Sequence, residues 1–152
     1  MKLRTAPDLT AHLGYWLRYV SNHVSQAFAR KLEGRGVTVA EWVVMRELYD
    51  EAAMPPSRLA EKLGMTRGAI TKLADRLIDK AFVARRANPA DARAQTLALT
   101  PQGRRLVPEL AALADRNDAE FFDHLTETEH ATLKRLLKGI VARRNLKTIP
   151  TS

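Results

Sequence analysis

The sequence predicts a mainly α-helical fold with a small β-wing, and three observations carry that expectation. Two short helices joined by a tight turn lie between Pro56 and Lys80, a basic two-stranded segment follows from Phe82 to Leu99, and long amphipathic helices flank both. The first short helix, Pro56 to Leu63, opens on proline, where a missing N–H costs nothing, sets Leu59, Ala60 and Leu63 on one side, and meets Gly64 just past its end. Thr66 is then an N-cap for a helix reaching about Lys80. Its Ile70, Leu73, Ala74, Leu77, Ile78 and Ala81 recur at three- and four-residue spacing and form a core face. The opposite face carries Arg67, Gly68, Thr71, Lys72, Asp75 and Arg76. Phe82 to Arg86 and Ala94 to Leu99 read as two strands of a hairpin, with Leu97 and Leu99 inward by alternation. The connection from Ala87 to Arg93 is rich in turn formers.

The flanking segments are helical. Leu9, Leu13, Trp16 or Leu17, Val20, Val24, Phe28 and Leu32 make an apolar stripe along an N-terminal helix. A second helix starts at Thr38, with Glu41 completing a capping box, and carries Trp42, Val43, Met45 and Leu48. Thr100-Pro101 opens a third in N-cap, proline order, with Leu106, Leu110, Leu113 and Phe121. Thr126 and Glu129 cap the last, expected to bury Leu133, Leu136, Leu137, Ile140 and Val141. At 152 residues this is one domain, divided into a lobe over residues 32–100 and flanking helices at 3–31 and 104–146.

Two short helices followed by a basic hairpin form the layout of a winged helix-turn-helix, which points to double-stranded DNA. Arginine or lysine at the start of the second helix can read guanine edges in a major groove, and threonine can meet phosphate or a thymine methyl. Arg85, Arg86 and Arg93 make the hairpin a basic fingertip suited to a minor groove or its phosphates. Asp91, two residues before Arg93, can brace that guanidinium bidentately. Charge agrees: of the formal net +8, residues 66–105 hold nine Lys/Arg against three Asp/Glu, so +6 sits here and +2 elsewhere. Any single arginine is as well explained as a solvated surface residue. The constellation is not, because focused positive charge of this kind is what neutralises phosphate.

These residues resemble the MarR family of bacterial transcriptional regulators. The run from Leu59 through Gly64, Thr66 and Arg67 to Leu73 is similar to the family's helix-turn-helix, and Asp75-Arg76-Leu77 to the end of its recognition helix. Asp91-Ala92-Arg93, followed by Leu97-Ala98-Leu99-Thr100, resembles its wing. The resemblance implies that Ser57, Thr66, Arg67, Thr71, Lys72 and Arg76 face DNA and that Asp91 and Arg93 form a wing-tip pair. Gly68 departs from the serine many members carry; a side-chain contact is lost, and the backbone N–H is free to approach phosphate. A palindromic operator needs two recognition helices about one helical turn apart, so residues 3–31 and 104–146 are expected to build a homodimer, which the resemblance strengthens.

In the resembling family, small aromatic or phenolic ligands bind between the dimerisation helices and the winged lobe. His12, Tyr15, Trp16, Tyr19 and His23 on the first helix, with Trp42 and Met45 on the second, are candidates to line such a pocket. Aromatics at helical spacing serve equally as core or dimer packing, the commoner use. His12, His23, His124 and His130 have no metal-ligand spacing, cysteine is absent, and neither a phosphate loop nor a nucleotide fingerprint occurs, so no metal or cofactor is expected. No Ser-His-Asp order, HExxH or paired-carboxylate motif stands out, which leaves an enzyme reading weak. No apolar run reaches membrane-spanning length and the start lacks a signal-peptide core, so a cytoplasmic protein without a membrane partner is expected. A ligand-responsive repressor is the leading expectation; an architectural DNA-binding protein without sequence preference or effector is the alternative.

Overall fold

In the computed structural model, residues 5–88 and 90–147 are described, the side chains of Ala92 and Arg93 excepted. Six helices and one hairpin follow in the order α1 (Leu13–Glu33), α2 (Val39–Tyr49), α3 (Pro56–Leu63), α4 (Arg67–Asp79), β1 (Val83–Asn88), β2 (Asp91–Leu99), α5 (Pro101–Phe122) and α6 (Glu127–Arg144). The mainly helical fold with a β-wing expected from the sequence is the fold observed.

Local chemistry sets most boundaries. The Thr38–Glu41 capping box closes in both directions: Glu41 N–H donates to Thr38 Oγ1 at 3.1 Å and Thr38 N–H to Glu41 Oε1 at 2.9 Å. Thr126 and Glu129 repeat the reciprocal pair at the start of α6. Gly64 ends α3 at φ +62°, where a left-handed residue lets its N–H return to the carbonyls of Ala60 and Glu61. Thr66 Oγ1 accepts from Ala69 N–H at 3.1 Å and so starts α4.

Three boundaries differ from expectation. The N-terminal helix begins at Leu13, and Leu9 instead lies in a separate single 3-10 turn, Leu9–Ala11, because His12 is extended between them. Trp16 ties the two together by donating to the Thr10 carbonyl at 3.0 Å. The wing strands run further toward the tip than the expected Phe82–Arg86 and Ala94–Leu99, since the ladder continues through the polar turn residues. Antiparallel pairing holds from Val83↔Leu99 to Ala87↔Gln95, then shifts so that Asn88 faces Asp91. Ala90 N–H donates to Asn88 Oδ1 at 3.0 Å, a side-chain-closed turn. Pro89, inside the expected connection, lies outside the described residues.

One core joins the lobe. Leu32, Val37, Val44, Met45, Leu48, Met54, Leu59, Ile70, Leu77, Val83, Leu97, Leu99, Val107 and Leu110 are buried together. Met54 and Leu97 exchange backbone hydrogen bonds at 2.9 and 2.8 Å, so the segment before α3 adds a short third rung to the wing. α6 departs most from expectation: Leu133, Leu136, Leu137, Ile140 and Val141 are exposed in the single chain, not buried. Trp16, Leu17, Tyr19 and Val20 on α1 are exposed as well. No helix among the described residues is long and apolar enough to cross a membrane.

Candidate nucleic-acid interface

α4 is gripped from behind by the core, which decides what it shows in front. Ile70, Leu73, Ala74 and Leu77 are buried, so the intervening positions Arg67, Gly68, Thr71, Lys72, Asp75 and Arg76 are exposed. Ser57, in the first turn of α3, is exposed beside them. Two threonines on this face already spend a hydroxyl contact on the backbone. Thr66 Oγ1 caps α4, and Thr71 Oγ1 donates to the Arg67 carbonyl at 2.9 Å. Gly68 has open space where a Cβ would stand, so a close approach of another backbone or a phosphate is sterically free.

The cations divide into two groups. Arg85, on β1, is held in an ion pair with Asp75 of α4, which links helix to wing and neutralises its charge within the protein. Arg67, Lys72, Arg76 and Arg86 have no side-chain partner among the described residues. Four uncompensated cations on adjoining elements produce a local positive field that no internal carboxylate cancels. The expected pairing of Asp91 with Arg93 rests on a side chain outside the described residues.

Grooves flank α4 on both sides. One, of about 390 Å³, is walled by Ser57, Arg67, Thr71, Arg85 and Gln95 among others. The second, of about 440 Å³, runs past Thr66, Lys72 and Arg76. Gln95 is the wall residue that sequence reasoning missed. It lies exposed in the middle of β2, paired with Ala87, and the alternation that turns Leu97 and Leu99 inward was the available signal, since it put Gln95 on their face as an amide donor and acceptor at the open end of it.

The candidate ligand residues are not gathered into one pocket by the single chain. Tyr15 packs edge-on to Trp16 and Tyr19, with ring centroids 5.3 and 6.0 Å apart, and Tyr19 stacks on His23 at 5.2 Å. Trp42 meets Phe28 edge-on, Met45 is fully buried in the core, and His12 is exposed ahead of α1. α1 and α5 share the apolar core through Leu32, Val107 and Leu110, and a polar link joins them beyond it. Lys31 Nζ donates to Asn117 Oδ1 at 2.9 Å and Glu120 Oε2 at 2.7 Å, while Asn117 Nδ2 donates to the Val24 carbonyl. The Lys31 bond holds the Glu120 carboxyl below the usual carboxylate range. No cluster of three or more His, Cys, Asp or Glu suited to a metal occurs among the described residues.

A short helix, a tight turn and a cation-bearing helix held against a basic hairpin define a winged helix-turn-helix domain, the class of DNA-binding regulators. More narrowly, the model of the MarR family matches residues 37–94, the stretch that holds α2, α3, α4 and most of the wing. The repressor MdtR of Bacillus subtilis is 28% identical over 127 residues, spanning 84% of this chain and 82% of that protein. A crystal structure of a MarR mutant from E. coli complexed with operator DNA has a TM-score of 0.77 at 29% identity, covering 85% of this chain and 93% of its own. CouR from Rhodococcus jostii RHA1, bound to p-coumaroyl-CoA, gives 0.77 at 25% identity, with 89% and 95% covered.

Proposed function

We propose that this protein is a homodimeric, sequence-specific transcriptional repressor of the cytoplasm that occupies a pseudo-palindromic operator and carries no catalytic activity. The observation that carries the reading is the set of exposed cations on α4 and β1, Arg67, Lys72, Arg76 and Arg86, without internal partners and standing beside hydrogen-bonding Ser57, Gln95 and Thr71. Such cations supply sequence-independent affinity through phosphate, and those in the first turns of α4 add base discrimination. Operator DNA in the E. coli MarR structure and the repressor activity named for MdtR support the same role here.

The homodimer rests on the outer stripe of α1 and α6. Leu133, Leu136, Leu137, Ile140 and Val141 lie three and four residues apart and stay exposed in the single chain, as do Trp16, Leu17 and Val20. An apolar surface of this extent, continuous along helices, calls for a second copy, and a two-fold pair presents two α4 helices to one face of a duplex. The p-coumaroyl-CoA bound to CouR supports a small aromatic or phenolic effector, with Tyr15, Trp16 and Tyr19 as the residues to test.

The deciding experiment is a selection of genomic fragments by the purified protein at physiological salt. An inverted repeat among the enriched fragments establishes the repressor reading. Enrichment without a shared motif replaces it with an architectural role, in which unrelated DNA competes equally.

A further inference from the structure

A carboxylate with no exposed surface lies behind the recognition helix and takes no part in the interface described above. Glu41 is 0% exposed, and its partner Lys80 is the residue at which α4 ends. Lys80 Nζ uses all three of its protons: it donates to Glu41 Oε1 at 2.8 Å, to Glu41 Oε2 at 2.9 Å and to the Gly36 carbonyl at 2.8 Å. Gly36 lies in the turn that leaves α1, at φ +70°, and Glu41 lies in the first turn of α2 with Oε1 also accepting from Thr38 N–H. One ammonium therefore pins the C-terminal end of α4 to the elbow between α1 and α2. Its other holds on the lobe are the apolar packing of Ile70, Leu73 and Leu77, which defines no direction, and the solvent-exposed Asp75–Arg85 ion pair to the wing, on its outer side.

We propose that Glu41 and Lys80 are positioning residues that fix the pose of α4 relative to α1, and through it the half-site spacing the dimer accepts. The inference rests on the homodimeric repressor reading, because only in a dimer joined through α1 does the angle between arm and recognition helix become a distance along DNA. Apolar packing is non-directional, whereas three short hydrogen bonds from one ammonium define a direction as well as a contact. An ion pair whose carboxylate is buried while its ammonium still reaches solvent is a poor source of net stability, since desolvating the carboxylate offsets much of the attraction, so its use here is in specifying one arrangement over its neighbours. Adding or removing one base pair between half-sites moves them by about 3.4 Å along the axis and rotates one against the other. An α4 freed at its C-terminal end can follow that change; a pinned one cannot.

The test compares the wild type with the double variant Glu41→Gln/Lys80→Met on three inverted repeats: the selected operator and versions one base pair longer and shorter. The double variant leaves no lone buried charge, and the introduced side-chain amide can still close the capping box with Thr38. The wild type is expected to prefer its own spacing by about tenfold or more, and the double variant to bind all three within about threefold of one another while remaining dimeric. Glu41→Gln alone, which preserves side-chain shape, is read in the same way and decides the matter if the double variant does not fold. An unchanged spacing preference in a folded variant, even one with a lowered Tm, overturns the positioning role. A wild type that selects a palindrome but ignores its spacing overturns it equally. A wild type that selects no palindrome overturns the repressor reading itself, and the positioning role with it.

Discussion

Replacing Gly103 with alanine should destabilise the fold although alanine is the better helix former. Gly103 sits in the first turn of α5 with its backbone against the chain where α4 gives way to the wing. A Cβ built there would lie 2.1 Å from the Phe82 carbonyl oxygen, 3.0 Å from its carbonyl carbon and 3.1 Å from its Cα. These are backbone atoms, so no rotamer change relieves the clash; α5 and the start of β1 must part by about 1 Å. The same oxygen accepts from Thr100 N–H at 3.0 Å, and Thr100 Oγ1 accepts from Gly103 N–H at 3.0 Å while donating to the Ala81 carbonyl at 2.7 Å. Separation therefore strains the junction that fixes the wing to α5. Overpacking costs about 1–3 kcal/mol, loss of one hydrogen bond about 1 kcal/mol, and alanine's propensity returns at most about 1 kcal/mol. The net is a loss of about 1–3 kcal/mol, or about 3–10 °C in Tm for a chain of this length. Far-UV circular dichroism melts at matched protein concentration measure it, since a dimer's Tm depends on concentration. A Gly103→Ala protein as stable as the wild type, or more stable, would refute the close-packing account and leave helix propensity in command.

Two further substitutions probe the same region with opposite signs. Ala81 follows α4 at φ +64°, a left-handed conformation that strains any residue with a Cβ, so Ala81→Gly should raise stability by about 0.5–1 kcal/mol in the same melts, and a fall would show that the strain is already relieved. At Glu41, burial pushes the carboxyl pKa up, but hydrogen bonds from Lys80 and Thr38 outweigh it and hold it below 4.5. A depressed carboxylate contributes stability above pH 4.5 and loses it as pH falls through the folded-state value. Glu41→Gln should accordingly cost on the order of 2 kcal/mol at pH 7, with the gap to wild type closing in acid below pH 4.5. Urea unfolding between pH 7 and 3 reads this directly, and a gap independent of pH would remove Glu41 from the acid limb.

What the sequence made legible follows from how local each determinant is. The capping boxes at Thr38 and Thr126, the glycine stop at Gly64 and the apolar spacing of α4 are each settled within a few residues, and each stands where pattern placed it except at Ala81, expected on the core face but exposed beyond the end of α4, where the chain turns at φ +64°. The exposed face of α4 was legible for the same reason, being the complement of a core face set by helical period. Long-range pairing was not. The bond from Lys80 to Glu41 spans 39 positions, and no periodicity marks Glu41 as anything beyond a cap residue. Likewise Arg85 reads as one more cation of a basic hairpin until Asp75, ten positions earlier, is seen to claim it. The hairpin's ends were misjudged because Asn88 and Asp91 favour turns in isolation, while ladder bonds carried past Ala87 outweigh that preference.

α6 marks a different kind of boundary. Its stripe of Leu133, Leu136, Leu137, Ile140 and Val141 has the spacing of a buried face, and in one chain that face meets water. Periodicity reports that a surface is built to leave water; it does not report whose atoms replace the water. The lobe answers that question within its own chain, because α2, α4 and the wing close on one another around Met45, Leu77 and Leu97. α6, which buries no residue of its own, does not. An unanswered apolar face on the outermost helices, next to a lobe whose cations are also unanswered, leaves the chain incomplete on two surfaces at once. In the proposed homodimer a second copy would cover the first of these and set two sets of those cations side by side, where a duplex would neutralise the second.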